Sequence, residues 1–231
     1  YKSKSTVIAT DPEATVDTAY LFYVQTSAPA VPPEVVLEDA EAEYGYSEQT
    51  LTASVKEQEG YSYSYQWYEA AQLGQTENGK RIEGADTARL SIQPGKSVGG
   101  YPYYLVVTAV KKDNGDTASI SVPVTFTVQP KQIMICPQAG QYKYTGQTDP
   151  VLSYTAVNAP AGVAITGALQ RTEGETPGTY AYFLGSLAID DDNYQLVLSP
   201  EAPLFTIEAY HAVATFAPEA PDGRDGWYTS E

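Results

Sequence analysis

The sequence predicts an all-β chain built from small sandwich domains, and three observations carry that prediction. Tyr at 20, Gly at 18 and Pro at 16 of 231 residues favour pleated strands joined by tight turns over helices. Short runs alternate apolar with polar residues: Leu51, Ala53 and Val55, then Leu90 and Ile92, then YYLVVTAV from Tyr103 and VPVTFTV from Val122. Asn114-Gly115 inside KKDNGDT separates the last two runs, and this dipeptide between alternating segments is a strong short-range hairpin signal.

At 42% hydrophobic content the chain is long enough for one large domain or two to three small ones. The formal charge of -16, from 29 acidic and 13 basic residues, repels phosphate backbones and anionic lipid, so no nucleic-acid partner is expected. No apolar run reaches the ~18 residues of a membrane span, and no membrane contact is expected of this segment. Cys136 is the single cysteine, which rules out an intrachain disulfide and leaves a small buried apolar residue as its expected role. The chain starts at Tyr and reads as a piece of a longer protein.

The run YSYSYQWY at residues 61–68 raises the choice between a sugar-binding platform and a core strand. A period of two around Trp67 puts Tyr65 and Tyr63 on the inward side and Tyr68 outward, with Tyr61 already in a loop. Tyr104 has the opposite parity to Tyr103. Tyr68 and Tyr104 are therefore the candidate ligand-facing aromatics.

The order of runs over 34–130, with YQWY, RIEGADTARLSI and GGYPYYLVV, resembles an immunoglobulin-like domain of the bacterial cell-surface kind. The resemblance implies that Trp67 packs between two sheets and that Tyr103 forms the corner hydrogen bond of a late strand. Ala53 and Leu105 stand where antibody domains pair two cysteines. Residues 131–209 are similar to the MBG (YDG-type) β domains of extracellular bacterial proteins. The matching positions are Tyr144, Gly146, Asp149, Pro150, Leu152 and Tyr154, then Gly167, Leu169 and Arg171, then Gly174, Gly178, Thr179 and Tyr180, then Gly185, Leu187, Asn193 and Tyr194, and finally Phe205 and Ile207. Tyr144, Tyr180 and Tyr194 join Trp67 and Tyr103 as expected core residues. Residues 1–33 resemble the end of a preceding β module with a Pro-containing linker. Residues 210–231 resemble the start of a following repeat, giving an elongated tandem array.

Little in the sequence points to catalysis. His211 is the single histidine; no nucleophile elbow accompanies it, and an exposed linker position is expected. Asp190, Asp191 and Asp192 do not have EF-hand spacing and read as an acidic turn. No metal or cofactor is expected. A Lys–Asn isopeptide crosslink, as some Gram-positive surface domains carry, has Lys56, Lys131 and Lys143 as donors and Asn193 as a partner, with no spacing that selects a pair. The resemblances imply a non-catalytic extracellular stalk or spacer on a bacterial surface. Its partners would be neighbouring modules of the same chain. The alternative is an adhesion module for a host glycan or protein, and a further one is an accessory domain of an exported enzyme.

Overall fold

The computed structural model describes residues 3–5, 22–24 and 28–210. Among these residues every regular element is a strand and none is a helix. The chain divides into two compact units. The first runs to Lys131 and includes Asp192–Tyr194; the second comprises Gln132–Asp191 and the residues from Gln195.

In the first unit, β1 (Ser3–Ser5) and β2 (Phe22–Val24) pair antiparallel. There follow β3 (Val35–Val36), β4 (Ala40–Glu43), β5 (Gln49–Thr52), β6 (Ser54–Val55), β7 (Tyr61–Glu69), β8 (Lys80–Arg81), β9 (Arg89–Ile92), β10 (Gly99–Lys111) and β11 (Thr117–Gln129). One sheet has the order β4-β11-β10-β7-β8, and the pairs β5–β9 and β3–β6 supply the opposing strands. Side chains from both layers meet in one core that includes Leu51, Leu90 and Ile92 from one side and Trp67, Leu105, Val107 and Phe126 from the other. This is a β-sandwich.

Trp67 is fully buried and sits opposite Leu105 across the β7–β10 ladder. Its indole Nε1–H donates to Thr87 O at 2.9 Å, which satisfies the one polar atom that burial would otherwise strand. Tyr63 and Tyr65 are half-buried against the same core. Tyr61 lies in β7, opposite Lys111, and not in a loop. The β10–β11 hairpin closes at Asn114-Gly115: Gly115 has φ +76°, and Asn114 Oδ1 accepts from Asp116 N–H at 3.0 Å.

The corner hydrogen bond falls on a different tyrosine from the one expected. Tyr101, at the entry of β10, donates its hydroxyl to Ser97 O at 2.7 Å. Tyr103 is buried, but its hydroxyl has no protein hydrogen-bond partner among the described residues, and burial with Glu69 nearby pushes its phenol up to about 12. The physical reason is reach: Tyr101 follows Gly99-Gly100 at the start of β10, where Gly99 has φ +148°, and lies four residues from Ser97, whereas Tyr103 lies six residues away.

The second unit contains β12 (Lys131–Pro137), β13 (Tyr142–Tyr144), β14 (Tyr154–Val157), β15 (Ile165–Thr166), β16 (Gln170–Arg171), β17 (Gly178–Tyr180), β18 (Tyr182–Phe183), β19 (Ala188–Ile189), β20 (Tyr194–Leu198) and β21 (Phe205–Glu208). Two three-stranded sheets, β14-β12-β20 and β13-β21-β17, are accompanied by the pairs β15–β19 and β16–β18. Ile133, Ile135, Leu169, Tyr182, Phe205 and Ile207 are buried. Cys136 has the opposite parity to Ile133 and Ile135 and is half-buried, so it is not the fully buried residue expected.

The corner device recurs in this unit. Tyr180 OH donates to Thr176 O, again four residues back, at 2.6 Å, and the preceding Gly178 has φ +156°. In each unit a cation lies over the corner ring: Lys96 Nζ is 4.4 Å from the Tyr101 centroid and Arg171 Cζ is 5.0 Å from that of Tyr180. The sequence expectations for His211 and for residues 211–231 lie outside the described residues, as do most of those for residues 1–27.

Candidate functional site

Strand β13 carries two kinds of chemistry on its two faces. Its sequence, Tyr142-Lys143-Tyr144, alternates by strand geometry, so whichever face takes the lysine gives up the tyrosines. The buried residue is Lys143, at 4% exposure; Tyr142 is exposed and Tyr144 is half-buried. Tyr144 was expected in the core, and the ion pairs available to Lys143 reverse that register.

Lys143 Nζ lies 2.7 Å from Asp149 Oδ1 and 2.6 Å from Glu175 Oε2, and it also donates to Gln147 O at 3.1 Å. Arg171, similarly buried, grips Asp149 with two parallel bonds, Nε to Oδ2 at 2.7 Å and Nη2 to Oδ1 at 2.8 Å. Its Nη2 also reaches Glu175 Oε1 at 2.9 Å, while Nη1 donates to Thr172 O and Gly174 O. Gly174, at φ +144°, cannot carry a side chain here, because a Cβ would run into the Tyr180 ring. Two cations and two carboxylates thus form a closed, neutral network in which the buried donors are used, the condition under which burying charge is tolerable.

The charge states follow from those bonds. A hydrogen bond from Arg171 holds the Asp149 carboxyl below its ordinary 3.8 against the opposing effect of burial, and a further hydrogen bond from Lys143 acts in the same direction as Arg171. Glu175 is lowered chiefly by Lys143, and Lys143 is raised above its ordinary 10.5 chiefly by Asp149 and then Glu175. The partners of Lys143 Nζ are two carboxylates and the Gln147 carbonyl, with no Asn side chain among them, so the cluster is an ionic clasp. Of the other crosslink candidates, Lys56 pairs with exposed Glu34 at 2.9 Å, Asn193 Oδ1 accepts from Val98 N–H at 2.9 Å, and Lys131 is exposed at the start of β12.

The other face of β13 is aromatic. The rings of Tyr142 and Tyr144 meet edge to face at 5.7 Å, and those of Tyr144 and Tyr210 at 6.1 Å. Tyr210 is 66% exposed. Tyr144, Glu208, Ala209 and Tyr210 line a concavity of about 580 Å³. Neighbouring Tyr142, then Glu208, raise the Tyr144 phenol above its ordinary value. In the first unit a cleft of about 330 Å³ is bordered by Glu69, Pro94, Lys96 and Tyr103.

Among the expected ligand-facing residues, Tyr104 is buried at 3%. Its ring stacks on Tyr68 with centroids 4.8 Å apart and planes 5° apart, and its hydroxyl accepts from Gly79 N–H at 3.0 Å. Parity placed it on the outer face correctly, but the 70–79 loop closes over that face. Tyr68 is half-buried beneath the same loop. Tyr194 is half-buried and meets Tyr44 edge to face at 5.4 Å; Tyr180 is half-buried at its corner bond. Among the described residues no group of three or more His, Cys, Asp or Glu side chains is placed to hold a metal ion, and no helix is long and apolar enough to cross a membrane.

Residues 133–203 match the family described as MBG domain (YGX type). The family agrees with the resemblance read from the sequence, whereas the type is YGX and not YDG. The solution structure of the PKD domain (329-428) from human KIAA0319 is similar at 20% identity and a TM-score of 0.30, over 46% of this chain and 91% of that one. No curated protein matches the chain.

Proposed function

We propose that this chain is a non-catalytic extracellular stalk segment of a bacterial surface protein, spacing other domains from the cell. The observation that carries the reading is modularity: two β units with separate cores follow one another in a single chain, and the second matches an MBG domain. In this unit the buried charges neutralise one another in the clasp, so they serve architecture and leave no poised acid, base or nucleophile. Neighbouring modules of the same chain are the partners this role requires.

The test places an epitope beyond the segment on a cell wall and measures antibody access with and without it. Deleting residues 34–209 is expected to lower access, and substituting an unrelated pair of β domains should restore it. Access unchanged by the deletion would refute a spacing role.

The Tyr142–Tyr144–Tyr210 cluster favours a second reading, adhesion to a glycan. Exposed rings stack on sugar C–H faces, and Glu208 beside them can accept from hydroxyls; the charge of -16 selects neutral or cationic sugars. On a glycan array this reading expects binding that Tyr142→Ala and Tyr210→Ala each reduce about tenfold, the loss of one stacking contact. An array silent for the parent chain removes it.

A further inference from the structure

The first unit leaves one strand edge open beside its cleft. β9 pairs with β5 alone, and Ala53 N–H donates to Ala88 O at 2.8 Å in line with that ladder. Backbone groups alternate along antiparallel strands, so Leu90 and Ile92 turn theirs toward β5 while Arg89 and Ser91 turn theirs to the free side. Arg89 is capped there: its N–H donates to Thr87 Oγ1 at 3.2 Å, and that hydroxyl donates to its carbonyl at 3.0 Å. Ser91 is exposed, and its N–H and C=O have no hydrogen-bond partner among the described residues. The other edges of the sandwich are blunted in the usual ways. β3 and β8 are two residues long, β8 being Lys80 and Arg81, and β4 carries exposed Glu41 and Glu43.

The space beside β9 suits the inward side chains of one more strand. Leu90 and Ile92 project between the two layers, and with Ile82 and Pro94 they form apolar walls of the cleft of about 330 Å³. A strand laid along β9 keeps the same pleat, so the residues on either side of the one facing Ser91 send their side chains into that space.

Two polar groups lie within reach of such a side chain. Glu69 and Tyr103 are directly opposite each other across the β7–β10 ladder, which puts both on one face of the sheet. Tyr103 is 4% exposed, and its hydroxyl has no protein partner. Every fully buried side-chain N or O among the described residues has one, so this hydroxyl opens into the cleft that its ring lines. Burial, then the Glu69 carboxylate, push its phenol up to about 12, and it remains a neutral hydroxyl whose oxygen can accept. Glu69 has Lys80 at 3.9 Å, on a side chain that is itself 83% exposed. Lys96, at the rim, sits 4.4 Å from the Tyr101 ring centroid and 6.0 Å from that of Tyr103.

An aliphatic passage that ends on a carboxylate and an accepting hydroxyl matches a lysine side chain, whose methylenes line the walls and whose ammonium meets the two oxygens. The charge of -16 draws a basic partner in and turns an acidic one away. We infer that the free edge of β9 takes an extended basic peptide as an added antiparallel strand, with Ser91 exchanging backbone hydrogen bonds and a lysine side chain entering the cleft toward Glu69 and Tyr103. The inference goes beyond the stalk reading and stands independently of it, because the edge and the cleft belong to the first unit alone.

Fluorescence anisotropy with the full chain and a dye-labelled, end-capped peptide, Thr-Val-Thr-Lys-Thr-Val-Thr, tests it. The expected result is saturable binding with Kd below about 1 mM, weakened about tenfold when norleucine replaces the lysine. Glu69→Gln is expected to erase that difference. N-methylating the two Thr residues beside the lysine, whose amides face β9, should cost about tenfold or more; N-methylating the two Val residues, whose amides face solvent, should cost little. Three results would each overturn the inference: no binding below about 1 mM, equal tolerance of the two N-methyl patterns, or a lysine preference that survives Glu69→Gln. Glu69 is half exposed, so the variant's urea melt should match the parent's, and the peptide changes leave the chain itself untouched.

Discussion

Replacing Trp67 by Ala is expected to cost the first unit about 3–5 kcal/mol, the range for truncating a fully buried large aromatic. The side chain is 0% exposed and faces Leu105 across the ladder, within a core that both layers share. The cavity it leaves is bounded by strands held in two sheets, so collapse around it is limited. Loss of the Nε1–H bond to Thr87 O adds an unsatisfied carbonyl. Against a total of roughly 5–15 kcal/mol for a domain, that is enough to bring the unit close to unfolding at ambient temperature. Urea melts followed by circular dichroism would show the first unit's transition moving to lower denaturant while the second unit's stays in place. A variant that melts like the parent would mean that Trp67 does not hold the sandwich together.

Much of the first unit is legible in the sequence because one side of each strand faces the core and the other does not. Leu51 and Ala53, or Leu90 and Ile92, announce their face by alternation, and Trp67 fixes the register of YSYSYQWY. Tyr104 marks where this logic stops. Parity assigns a side chain to a face, but whether that face is wet depends on the 70–79 loop, which no local pattern encodes. The corner tyrosines carry a usable local signal, which the sequence reading placed on Tyr103 in the first unit and did not use in the second: Gly-Gly-Tyr at 99–101 and Gly-Thr-Tyr at 178–180 both put a positive-φ glycine two residues before the ring.

The clasp was half visible. Leu169 and Arg171 share a parity, so a buried arginine could be read directly from the run. Lys143, flanked by two tyrosines, argues for the opposite register by propensity. Only the partners Asp149 and Glu175, which lie 6 and 32 residues further on, make its burial favourable. Long-range charge pairing overrides the local preference, and an inward Arg171, whose burial requires carboxylates around it, is the cue that would have revealed it.

Arg171→Ala is the second large effect expected, at about 2–3 kcal/mol in the second unit. Breaking a fully buried ion pair costs about 3–5 kcal/mol, and the lower figure allows for the solvent that reaches Asp149 and Glu175, whose side chains are 39% and 65% exposed. The loss also strands the Thr172 and Gly174 carbonyls and removes the guanidinium from the Tyr180 and Phe205 faces, 5.0 and 5.2 Å away. Arg171→Lys restores the charge without the planar fork and is expected to recover less than half of the difference. Because Asp149 and Glu175 titrate below their ordinary values in the folded unit, the stabilisation they supply is present above about pH 4 and is lost as pH falls through the folded values. Lys143 titrates above its ordinary 10.5, so its share is complete below that pH and is lost as pH climbs past the folded value. The gap between parent and Arg171→Ala, measured by urea melts across pH, should therefore be level between about pH 5 and 10 and narrow toward pH 2. A gap as wide in acid as at neutrality would mean that Arg171 acts through packing and its carbonyl bonds, with the carboxylates contributing nothing.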